Sequence, residues 1–116
     1  MRIVTTLSLA ALACCLALSA AACETPSMVT IPDGKAASKD QMLAAQAAVK
    51  GYMAAMDQYL ACVDGEMNAK GEDAPNDYKA LMVARHNSAV AEMESVAGAF
   101  NDQRKAYLAA NPPAPK

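Results

Sequence analysis

Two long stretches of helical apolar spacing, parted by one short breaker segment, constrain this chain more than any other feature. In the first, Met42, Val49, Met56 and Val63 recur every seven residues, and Gln46, Met53, Leu60 and Met67 each follow four residues later. That alternation of four and three is the pattern of an antiparallel helix seam or a short coiled coil. Ser38-Lys39-Asp40-Gln41 opens the stretch as a capping box, with Ser38 at the cap and Gln41 reaching back to it. Lys70-Gly71-Glu72-Asp73-Ala74-Pro75 has the composition of a turn. A second helix is expected from about residue 76 to 110, with its stripe at Met82, His86, Ala89/Val90, Met93, Val96/Ala97, Phe100 and Tyr107. Asn111-Pro112-Pro113-Ala114-Pro115-Lys116 cannot continue it.

A short connection makes two such helices antiparallel neighbours. The fold class expected is therefore all-α, an antiparallel two-helix hairpin over residues 38–110, with helices at about 39–69 and 76–110. With the turn near residue 72, Met56 projects opposite Ala89, Val49 opposite Val96, and His86 near Tyr59. A lone hairpin buries just one seam and should be marginally stable. Self-association or docking onto another protein is the expected remedy.

The beginning of the chain reads as an address. Arg2 precedes an uncharged, largely apolar run from Ile3 to Leu18, and Ser19-Ala20-Ala21-Ala22-Cys23 follows. A basic start, an apolar run and a small-residue exit are the parts of a secretory signal peptide, here residues 1–22. Cleavage at Ala20-Ala21-Ala22 would release a soluble protein. Alternatively Cys23 is the lipid attachment site, because the four residues resemble the bacterial lipoprotein box, although Ala20 stands where that box usually has leucine. Residues 23–37, broken by Pro26, Pro32 and Gly34, read as an extended leader or tether.

Without residues 1–22 the charges are nine basic against 12 acidic, a mild acidity with no basic stripe of the kind nucleic acid requires. Of the four cysteines only Cys23 and Cys62 remain. Lipidation of Cys23 would leave Cys62 as a buried thiol or as one half of a symmetric intermolecular disulfide. Without lipidation, a Cys23–Cys62 bridge would clip the leader onto the helices.

Methionine is abundant at eight residues, and His86 is the sole histidine. Thioethers and thiolates suit soft metals, so Met53, Met56, Cys62, Met82 and His86 form an alternative copper-binding set in an exported protein. Methionine is equally a gap-filler in apolar seams, and that role fits the spacing better. Catalysis has no residue set: neither a Ser-His-Asp order nor a glycine-rich phosphate loop occurs, and no cofactor is expected.

Ile31-Pro32-Asp33-Gly34, Met42-Leu43-Ala44-Ala45-Gln46, Val49-Lys50-Gly51-Tyr52, Tyr59-Leu60-Ala61-Cys62, His86-Asn87-Ser88-Ala89-Val90, Glu92-Met93 and Phe100-Asn101 resemble a family of small exported α-helical proteins of Gram-negative bacteria, some with a lipoprotein-type start. The resemblance implies an exported helical protein and carries no catalytic residues with it. The function expected is thus non-enzymatic: a periplasmic cell-envelope protein, lipid-anchored through Cys23 or soluble, that binds itself or another envelope protein.

Overall fold

Each helix begins and ends where local chemistry satisfies its free backbone groups. The computed structural model describes residues 23–115, so the signal peptide expected at residues 1–22 lies outside the described residues, as does Lys116. Helix α1 spans Lys39–Lys70. Ser38 Oγ accepts the Gln41 amide at 3.2 Å, and Gln41 Oε1 accepts the Ser38 amide at 2.8 Å, which completes the capping box. Gly71 stops the helix at φ 74°, a left-handed conformation that favours glycine, and its N–H bonds the carbonyls of Met67 and Asn68. Ala74 turns the chain through a 3.2 Å bond to the Gly71 carbonyl, and α2 runs Asn76–Ala110. Asn111 closes α2 with its own N–H on the Tyr107 carbonyl, just before Pro112.

The two helices pack along each other as a hairpin, with no strand among the described residues. At 1.5 Å per residue they are about 48 and 52 Å long. The first row of the seam is the expected one: Met42, Val49, Met56 and Val63 are all buried, the last two completely. Met82, Ala89 and Val96 face them from α2.

Of the expected second row, Met53, Leu60 and Met67 pack half-buried against the core and Gln46 is exposed; Ala45, Tyr52 and Tyr59, three residues after the first row, are buried more deeply. The cause is the leader. Residues 23–38 run back along the hairpin from beside Cys62 to the start of α1, and Val29 and Ile31 pack onto the core. This cover buries the tyrosine side of the seam and leaves the methionine side open. The lengths agree: ten extended steps from Cys23 to Asp33 span about 33 Å. The 23 helical steps from Lys39 to Cys62 span about 35 Å.

The leader is therefore a strap rather than a free tether. Its lower end is pinned at Gly34, whose N–H donates to Gln103 Oε1 at 2.8 Å. A Cβ on Gly34 would collide with the Gln103 carbonyl oxygen and lie 2.9 Å from the Tyr107 nitrogen, so the close approach requires glycine. Asp33 shapes the turn after it, accepting the Lys35 amide on Oδ1 at 3.0 Å and the Ala36 and Ala37 amides on its carbonyl.

Candidate functional site

The upper end of the strap is covalent. Cys62, on the exterior flank of α1 beside the buried Val63, is joined to Cys23 by a disulfide with a Cα–Cα distance of 5.8 Å and a sequence separation of 39. Of the three uses open to Cys62 in the sequence, this is the intramolecular bridge; Cys62 is neither a buried free thiol nor half of a symmetric link between chains. A sulfur in a disulfide cannot also carry a thioether to lipid, so bridge and lipidation are exclusive uses of Cys23. Glu66 stands one helical turn beyond Cys62 on the same face. Both sulfurs and a Glu66 carboxylate oxygen lie within 4.8 Å of one another. The cleft beside them, bordered by Glu24, Thr25, Pro26, Gln58 and Tyr59, opens to solvent.

The five soft-ligand candidates do not converge. Met56 and Met82 are core side chains, 0% and 1% exposed. Met53 is half-buried on the open side, and Cys62 is oxidised. His86 is half-buried at the edge of the seam, and its partner is Asp64 at 3.2 Å through Nδ1 rather than the expected Tyr59. The projection placed the ring at the level of Tyr59, but Tyr59 points to the leader side while the imidazole lies on the opposite flank. A pair this open to water contributes little to stability. No other hydrogen bond to the ring is present among the described residues.

Tyr52 supplies a strongly polar contact on the leader side of the seam. Its hydroxyl donates to Glu92 Oε1 in α2, and the Met28 sulfur of the leader lies 3.9 Å away, so one side chain ties all three segments. Burial pushes the phenol up to about 12 from its usual 10.0, and the hydrogen bond and charge of Glu92 act in the same direction. The folded state thus holds this proton more tightly than the unfolded chain does. The contribution is fully present below pH 10.0 and is lost as pH rises through about 12. Urea unfolding at neutral pH and between these two pH values should therefore show a steeper alkaline loss for the parent than for Tyr52→Phe. Equal losses in the two proteins would contradict the assignment.

Glu66 and Glu92 are not among the site residues expected from the sequence. The i, i+4 spacing of Cys62 and Glu66 was legible there, whereas the meeting of Glu92 with Tyr52 depends on the helix register and the path of the leader.

The face opposite the leader is uncovered. Met53, Leu60, Met67, Met93 and Phe100 are half-buried along it, and Leu43, Val83, Val90 and Leu108 are 52%, 49%, 37% and 52% exposed. Lys39, Lys50 and Arg104 border its lower half. Asp64, paired with His86, lies towards the turn, as do Glu72 and Lys79, whose ammonium bonds the Glu72 carbonyl. No described helix is long and apolar enough to cross a membrane. No protein-family model matches this chain, and neither does any curated protein or any solved structure.

Proposed function

We propose that this chain is an exported, non-enzymatic protein of the cell envelope whose working surface is the open helical face, and that this face binds a second copy of the chain. One observation carries the reading: the leader covers one groove of the hairpin and leaves the other, with its row of methionine, leucine, valine and phenylalanine side chains, to solvent. The area suits a dimer. A face about 48 Å long and two helices wide offers on the order of 900 Å², close to the roughly 800 Å² that each partner of a stable interface buries.

Export rests on the basic start, apolar run and small-residue exit before Cys23. The bridge to Cys62 favours the soluble, unlipidated form of the mature chain, since it occupies the sulfur that lipid would need. Oxidised cysteines also accord with an oxidising compartment such as the periplasm.

Sedimentation equilibrium tests the reading. The parent should form a dimer, and Val90→Glu should sediment as a monomer with unchanged helical circular dichroism, because the charge sits on the open face and not in the seam. A parent that stays monomeric at every concentration contradicts self-association and makes a different envelope protein the occupant of this face.

A further inference from the structure

We propose that, once reduced, Cys23, Cys62 and Glu66 form a binding site for one zinc ion, so that the strap is held either by the disulfide or by the metal. Zinc takes thiolate sulfur and carboxylate oxygen together in a tetrahedron, with Zn–S near 2.3 Å and Zn–O about 2.0–2.2 Å. Those bond lengths place ligand atoms roughly 3.5–3.8 Å apart. The three ligand atoms here already lie within 4.8 Å of one another. Cys62 and Glu66 are one turn apart on a rigid helix, where i and i+4 side chains are neighbours. Cys23 sits on the leader and not on a helix, so it can move the short distance that separates bonded sulfurs from metal-bound ones. The adjoining cleft admits water or the Glu24 carboxylate to the fourth position. Two thiolates with a hard carboxylate suit zinc better than Cu(I), which prefers an all-soft set, and the thioethers of Met56 and Met82 are shut in the core. The soft-ligand chemistry of this chain therefore lies at the strap, away from most of the methionines.

The redox and metal steps balance. A dithiol reductant opens the bridge by thiol–disulfide exchange and leaves as its own disulfide; Cys23 and Cys62 each gain one electron and one proton. Zinc then displaces the two thiol protons to solvent. Transfer of two electrons to a disulfide acceptor rejoins the sulfurs and expels the ion. The site does not depend on the dimer, because the Cys62 flank is covered by the leader of the same chain.

The test is zinc titration of the purified protein, oxidised and phosphine-reduced, against a chromophoric chelator, with Co(II) as a spectroscopic stand-in. The reduced parent should bind one zinc per chain and show a thiolate-to-Co(II) charge-transfer band, while the oxidised parent binds none. Glu66→Gln should weaken zinc binding by roughly 10–100-fold with helicity unchanged, and Cys62→Ser should abolish the charge-transfer band of a two-thiolate site. The proposal is overturned if the reduced parent binds zinc no more tightly than Cys62→Ser. It is equally overturned if Glu66→Gln binds as tightly as the parent, since the thiols would then be holding an adventitious ion without the carboxylate.

Discussion

Reducing the Cys23–Cys62 bridge in metal-free solution, or replacing Cys62 by serine, should lower the stability of the folded chain by about 4 kcal/mol, the loop-closure term for a ring of this size. The ring is large because the two cysteines are 39 residues apart. For a domain of this length such a loss corresponds to a fall in Tm of about 15–30 °C. The effect should be larger than for most small proteins of similar composition, because the bridge does two things. It limits the unfolded chain, and it keeps Val29 and Ile31 against the core of the seam. Thermal unfolding at one fixed protein concentration, with and without reductant, checks this; the concentration is fixed because the proposed self-association would also stabilise the folded state. Limited proteolysis should cut the leader of the reduced protein first. An unchanged Tm would mean that the pin at Gly34 and Gln103 holds the strap unaided.

Met56→Ala should cost about 2–5 kcal/mol, the second large effect, because the side chain is 0% exposed and the seam is too regular to collapse into the space left. Met56→Leu nearly conserves volume and should cost less than about 1.5 kcal/mol. Met28→Ala, 67% exposed at the edge of the strap, should stay within about 0.5 kcal/mol. Denaturant unfolding of the three variants measures the order directly. The comparison also separates packing from metal ligation. A packing methionine tolerates leucine and not alanine, whereas a ligand is lost equally to both. Alanine and leucine behaving alike at position 56 would contradict the packing assignment.

Much of the fold was legible in the chain because helix chemistry is local. The seven-residue recurrence of Met42, Val49, Met56 and Val63, the capping box at Ser38 and the composition around Gly71 already specify a hairpin. Met53, Leu60 and Met67 of the second row do pack against the core, but Ala45, Tyr52 and Tyr59 beside them are buried more deeply. A heptad seam is reached from its first row by a step of three or of four, and Met53, Leu60 and Met67 look more apolar than Ala45, Tyr52 and Tyr59. What decides between them lies outside both helices: the leader covers the tyrosine side and supplies the cover that their rings need. The same non-local path explains why the pairing of Cys62 stayed open in the sequence, since nothing near Cys62 indicates that Cys23 returns to it. The contact of Gly34 with Gln103 joins residues 69 apart, and no local pattern announces it. His86 was placed at the right level of the seam but on the wrong flank, because a register fixes height along the helices more firmly than side.

The most direct test of the strap is the intact mass of the protein recovered from its native cells, before and after reduction. A chain beginning at Cys23, free of lipid and gaining two hydrogens on reduction, is the predicted result. A mass carrying a diacylglyceryl group on Cys23 would contradict it, because that sulfur could then form no bridge to Cys62 and the leader would be a membrane tether instead.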